Sequence, residues 1–194
     1  AEYGAERIEF VNENGYLGTR FLLRAGDSTA NAYLRAPGYF SVYNATATCA
    51  VARLYGIGLS DIASALSRVV IKGRFEFVPI FSDRIFIIDY CHNGYSLRAV
   101  LSALREYRPR RLVCLFGSVG GRTRGRRREL GRAANELADF SVITSDNPDF
   151  EEPRGICDEI AREFDSADKY TIIPDRLDAI EYAYRNSREG DIFL

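Results

Sequence analysis

Three stretches hold most of the side chains in this sequence that could do chemistry. "FGSVGGRTRGRRREL" runs from an apolar segment through glycines into five arginines between Arg122 and Arg128. Glycines let a backbone approach an anion, and N–H groups at a helix start add favourable partial charge. The GxxxxGK[ST] spacing of a P-loop is absent, as is a clean GxGxxG. The bland alternative is a solvated, arginine-rich first turn, and Arg126 and Arg127 are expected to face water in either case. "ITSDNPDFEEP" gathers Asp146, Asp149, Glu151 and Glu152 around Pro148. This is either a helix cap with an acidic first turn or a recognition loop at a strand end. "IIDYCHN" places Asp89 at the end of an apolar run, where a carboxylate needs a partner or a ligand. It is followed by His92, the only histidine of the chain, which reads as a hydrogen-bonded structural residue or as a base.

The elements that must position these residues have two grammars. Residues 1 to about 40 read as β: "RIEFV", "GTRFLLRA" and "TANAYLRA" are separated by turn signals. Two helices follow, "SVYNATATCAVARLYG" and "SDIASALSRV", the second with Ser60 or Asp61 placed to cap it. From about Arg74, "RFEFVPI" and "RIFIIDY" suggest a hairpin, and after them apolar strands alternate with amphipathic helices. Leu97, Val100, Leu101 and Leu104 fall at i, i+3, i+4, i+7, and Leu130, Ala133, Ala134 and Leu137 repeat that spacing. Continuously apolar strands alternating with such helices predict a parallel sheet covered on both faces. The expected fold is therefore a Rossmann-like, doubly wound, mostly parallel α/β sheet over residues 73–194. A β-rich and helical segment, 1–72, precedes it. In such a sheet ligands bind beyond the carboxyl ends of the strands. Those ends carry Asp89 to Asn93, Gly117 to Arg122, Ser145 to Asn147 and Pro174 to Arg176.

Composition sets outer bounds. The 194 residues carry a formal net charge of −1, which argues against a dedicated nucleic-acid binder. No apolar run approaches the roughly 20 residues needed to cross a bilayer. Cys49, Cys91, Cys114 and Cys157 form neither a CxxC pair nor a disulfide framework, and read as reduced core thiols of a cytoplasmic protein. No metal ligand is assigned within the chain. It begins at Ala1, contains no methionine and stops at "GDIFL" within a strand-like run, so it is expected to be a fragment of something longer.

Taken in order, "FSVYNATATCAVA", "KGRFE", "IIDYCHNGYSLRAVL", the glycine–arginine loop, "TSDNP" and "IPDRLDAI" resemble the Mur ligases, specifically the MurE branch, the UDP-N-acetylmuramoyl-tripeptide synthetases. The resemblance spans nearly the whole chain. It implies an ATP- and magnesium-dependent amide-bond ligase of peptidoglycan synthesis. Such enzymes activate the D-glutamate carboxylate of UDP-N-acetylmuramoyl-L-alanyl-D-glutamate as an acyl phosphate, which the amine of a third amino acid attacks. Cations must offset phosphate charge, and the amine must attack as the free base.

Carried over by position, the resemblance gives Asn44 a contact with adenine and brings Arg74 to the ATP phosphates. It has Asp89 bond the ribose, with Tyr90 and His92 shaping the same pocket. Arg74 and His92 are the candidates for a catalytic role. Arg122 and Asn147 match residues that hold the incoming amino acid. Residues 1–72 would be the tail of a central ATPase domain and 73–194 most of the C-terminal domain.

The chain also departs from the family pattern. The "GTNGKT" loop, the carbamylated lysine and the first domain lie upstream of it, and the "GKGHE" loop does not follow the last strand, so this chain alone is not expected to turn over. Ser41 stands where many relatives have Asn. "SVGGRTRGRRR" replaces the commoner "GGDRDRGKR" and removes two acids. Asp149 stands where diaminopimelate-adding members carry the Arg that pairs with the far carboxylate of their substrate. A like charge there costs several kcal/mol, whereas a charge-assisted bond to the ammonium of L-lysine contributes roughly 1.5–3 kcal/mol. On charge alone lysine is favoured over meso-diaminopimelate by on the order of a hundredfold. Rival readings are a non-catalytic nucleotide-binding module, a folylpolyglutamate synthetase, which the "SDNP" loop argues against, and nucleic-acid binding through the arginine cluster, which predicts steep salt dependence.

Overall fold

The computed structural model describes residues 2–13 and 15–194. It divides into two units, Ala1–Glu76 and Phe77–Leu194, each treated by itself below.

In the first unit three strands form an antiparallel meander: β1 (Tyr3–Glu13), β2 (Tyr16–Ala25) and β3 (Ser28–Leu34). Two helices follow, α1 (Tyr39–Leu54) and α2 (Leu59–Leu66). Alternation in β2 sends Phe21 and Leu23 to one face, where they pack with Val42, Cys49, Ile62 and Leu66 from the helices. The expected cap of α2 differs. Gly58 occupies the N-cap position without a side-chain bond, and Ser60 and Asp61 lie inside the first turn. There Asp61 favours the helix through its charge at the positive end of the dipole instead of through a hydrogen bond.

The second sheet has six strands in the order β4 (Glu76–Val78), β5 (Ile85–Ile88), β9 (Asp191–Phe193), β6 (Arg111–Phe116), β7 (Phe140–Ile143), β8 (Tyr170–Ile172). The β4 and β5 strands are neighbours joined by a short connection. From β5 to β8 every pairing is parallel. Helices α3 (Gly94–Arg105), α4 (Gly125–Leu137), α5 (Pro153–Ala161) and α6 (Arg176–Arg185) make the crossovers. Helices α3, α4 and α5 lie side by side, whereas α6 packs on β6 and β7. Its Ala183 meets Val113 and Phe193, flanked by Phe86, Leu115 and Phe140. Because residues along β6 alternate in direction, Leu112 and Cys114 serve the opposite face, so the sheet is doubly wound. Leu97, Leu101, Leu104, Leu130 and Ala134 are all buried, as the helical spacing predicts. Cys49, Cys114 and Cys157 are buried and Cys91 is half-buried; all four are free thiols. Burial pushes the Cys157 thiol up to about 11. No helix is long and apolar enough to cross a membrane among the described residues.

Every β-to-α turn on this sheet faces the same end, and one of them is tightly specified. Asn93 caps α3 with a reciprocal capping box: its Oδ1 accepts from Ser96 N–H (2.9 Å), while Ser96 Oγ accepts from Asn93 N–H (3.3 Å). That pair fixes the point where the chain leaves the Asp89–His92 turn. Asn93→Ala is expected to lower unfolding free energy by about 0.5–2 kcal/mol, read from the denaturant midpoint at unchanged slope.

Candidate functional site

The carboxyl ends of the strands open into a cleft of about 560 Å³ in the second unit. After β5 come Asp89, Tyr90 and His92; after β6, Gly117, Ser118 and Arg122; after β7, Asp146; after β8, Arg176; and from the start of α4, Arg126. Asp89, Tyr90, His92 and Arg122 are thus brought together by the topology. Asp89 uses Oδ1 to accept from Cys91 N–H at 2.9 Å, which fixes the turn and aims the carboxylate. Tyr90 and His92 stand ring against ring, centroids 5.3 Å apart, and His92 Nδ1 lies 3.3 Å from the Tyr90 carbonyl. A half-buried carboxylate beside two exposed rings suits a sugar hydroxyl and a flat base, so this end fits a nucleoside. Among the described residues no group of three or more His, Cys, Asp or Glu converges as a metal site, and no magnesium ligand is assigned.

The other end is cationic. Arg122, Arg126 and Arg176 line it, and Arg176 donates to the Ser145 carbonyl (2.8 Å), tying the β8 end to the β7 loop. Two of these were not singled out from sequence. Arg176 had been read only as one of several strand-end residues. Arg126 was expected to face water; it is half-buried in the cleft.

The loop after β6 and the loop after β7 are fastened together. Gly120 N–H donates to the Asn147 carbonyl at 2.7 Å, and a side chain at 120 would overlap the Pro148 carbonyl. Gly121 N–H donates to Glu151 Oε1 at 2.8 Å, and the same oxygen accepts from Arg127 Nη2 at 2.6 Å. Arg127 Nη1 reaches Glu159 Oε2 at 2.9 Å. Two expectations are corrected here. Arg127 does not face water: it is 1% exposed, in the first turn of α4 beneath two carboxylates. Glu151 is not a helix-start acid either. Helix α5 has no acid in its first turn, Glu152 sits at the N-cap without a side-chain bond, and Glu151 is drawn away by Arg127.

Asn147 and Asp149 lie exposed on the β7 loop. Asn147 Oδ1 accepts from Asp149 N–H at 3.3 Å. Asp149 has φ 55°, the left-handed conformation that Asp tolerates. Its carboxylate lies against Gly121, in the space a side chain there would fill, and neither Asn147 nor Asp149 is among the cleft-lining residues. Asn44 and Arg74 belong to the first unit. Asn44 is exposed on α1, where its carbonyl accepts from Thr48 Oγ1 at 2.8 Å. Arg74 is exposed after an isolated bridge to Ile71.

Residues 73–194 match the sequence profile of the Mur ligase, glutamate ligase domain. The chain belongs to the Mur ligase family. It is 38% identical to the UDP-N-acetylmuramoyl-L-alanyl-D-glutamate--2,6-diaminopimelate ligase of Caldanaerobacter subterraneus over 99% of this chain and 41% of that protein. It is 40% identical to the ligase of the same name from Syntrophomonas wolfei over 91% of this chain and 37% of that one. The chain therefore spans about two fifths of the length of these curated Mur ligase relatives. Among solved structures, a UDP-N-acetylmuramoyl-L-alanyl-D-glutamate--2,6-diaminopimelate ligase is similar with a TM-score of 0.67 at 27% identity, covering 100% of this chain and 39% of that one. A Mycobacterium tuberculosis folylpolyglutamate synthase gives 0.77 at 20% identity, over 100% and 44% of the two chains, and shows the fold alone.

The Glu151 carboxyl is held at about 2 from an ordinary 4.5, first by the Arg127 bond and then by Gly121 N–H. A carboxyl depressed by folding contributes stability above its unfolded value and loses it as pH falls towards the folded one. Unfolding midpoints should therefore drop between about pH 4.5 and 2, and Glu151→Gln should flatten that part of the profile, as thermal melts at stepped pH will show.

Proposed function

We propose that the protein carrying this chain is an ATP-dependent ligase. It joins the D-glutamate carboxylate of UDP-N-acetylmuramoyl-L-alanyl-D-glutamate to the amine of meso-diaminopimelate, in the cytoplasm, where its nucleotide substrates are made. The observation that carries this reading is the match along nearly the full chain to proteins named as 2,6-diaminopimelate ligases. The cleft is consistent with it. Asp89, Tyr90 and His92 offer a carboxylate and ring faces to a nucleoside. Arg122, Arg126 and Arg176 offer guanidinium groups where carboxylates and a transferring phosphoryl group need charge offset. ATP supplies the activation of the carboxylate; the role of this chain is to bind, orient and offset charge. His92, exposed at the nucleoside end of the cleft, is the candidate there for a catalytic role.

L-Lysine is the second reading, favoured by Asp149 in place of the Arg of diaminopimelate-adding members. Its charge argument needs that carboxylate to meet the far end of the amino acid. Asp149 leans on Gly121 instead, which favours diaminopimelate.

ADP release by the intact protein, with the muramoyl dipeptide and each amino acid in turn, tests both. Diaminopimelate is expected to exceed lysine by about tenfold or more in kcat/KM, roughly 1.4 kcal/mol. Asp149→Ala should leave that ratio within about threefold. A wild-type preference for lysine that collapses in Asp149→Ala would restore the lysine reading.

A further inference from the structure

We infer that Arg127 and Glu151 are positioning residues for the amino-acid end of the site, acting as a latch that holds the β6 loop in register with the β7 loop. The inference rests on the ligase reading above. One oxygen, Glu151 Oε1, accepts both from the buried Arg127 guanidinium (2.6 Å) and from the backbone N–H of Gly121 (2.8 Å). The next residue along the chain is Arg122. One residue earlier, Gly120 N–H is bonded to the Asn147 carbonyl (2.7 Å). Arg122 and Asn147, the two groups that the family resemblance assigns to the incoming amino acid, thus sit beside the two ends of one short bonded path. Neither Arg127 nor Glu151 lines the cleft, so their influence on a substrate runs through the loops they hold.

Arg127 is well suited to this. Its guanidinium is almost wholly buried, and its two terminal nitrogens reach different carboxylates, Glu151 on the loop and Glu159 inside α5. The two carboxylates neutralise the same charge, but only Glu151 also grips the loop backbone. That difference separates a positioning role from a merely structural one. A structural role predicts equal consequences for losing either carboxylate, whereas a latch predicts that only Glu151 matters to the substrate.

The experiment compares Glu151→Gln and Glu159→Gln in the intact protein. In Glu151→Gln the KM for the amino acid is expected to rise about tenfold or more while the KM for ATP stays within about twofold. In Glu159→Gln both KM values should stay within about threefold of wild type. Should Glu151→Gln not fold, Glu151→Asp keeps the counter-charge, and its shorter reach is expected to give the same split. An equal rise in both variants, a joint rise of both KM values, or no change would overturn the latch. If the wild-type protein joins no amino acid to the dipeptide, the ligase reading fails on its own account. The latch is then read by amide hydrogen exchange over residues 118–124: faster in Glu151→Gln than in Glu159→Gln supports it, and equal rates overturn it.

Discussion

A guanidinium that folding removes from water must be met by opposite charge, because an isolated buried ion costs several kcal/mol even after relaxation. Arg127 imposes that demand at the first turn of α4, where it is 1% exposed. Its carboxylates come from further along the chain, Glu151 before α5 and Glu159 within it. Two consecutive β-to-α crossovers are thereby bound to each other at the end of the sheet where ligands enter. An apolar replacement could fill the same space at similar stability. It could not hold Gly121 N–H through a shared carboxylate oxygen, and the geometry of the glycine loop follows from that bond.

The sheet explains why this end matters. Parallel strands send all their forward loops to one end, and burial on both faces leaves the strands themselves no room for a ligand. The order β5, β9, β6, β7, β8 therefore delivers an acid and two rings from the β5 loop, glycines and arginines from the β6 loop, and Asp146 from the β7 loop. A single Arg comes from the end of β8. The polarity of the cleft follows from this sequence of loops. The end with a carboxylate and two rings comes from one turn, which leads into the Asn93 cap, and the three arginines come from the segments after β6 and β8.

Much of this was legible because the signals are local. The i, i+3, i+4, i+7 spacing gave the buried faces of α3 and α4, and continuously apolar strands gave the parallel sheet. The misreadings fell where the deciding partner is distant in sequence. Glu151 reads as one more acid before a proline-started helix until Arg127, 24 residues earlier, is brought beneath it. For Arg127 the signal was present but overruled. It lies three residues before Leu130 and seven before Ala134, on the same stripe that packs inward. Residue type argued for water and helical phase argued for burial, and phase was right because two carboxylates were available. The cap of α2 failed differently. Ser60 and Asp61 are good capping types, but backbone geometry put the boundary at Gly58, two residues before Ser60.

The two departures that looked separate in sequence are joined in space. Aligned on Arg124–Gly125, the family's commoner "GGDRDRGKR" would place acids at positions 121 and 123, where this chain has glycine and threonine. Position 149, where diaminopimelate-adding members have Arg, carries an acid here. Both residues adopt left-handed φ, 62° and 55°, and the Asp149 carboxylate occupies the space a side chain on Gly121 would need. An acid missing from one loop is thus restored from the other at nearly the same point. A tally of charges by position counts two acids lost and one Arg reversed. By location, one of the two acids is replaced from the β7 loop, the other is lost at Thr123, and one Arg is gone. The cleft itself is lined by Arg122, Arg126 and Arg176 together with Asp89 and Asp146. The charge argument for lysine thus turns on where the Asp149 carboxylate points, and here it lies against Gly121.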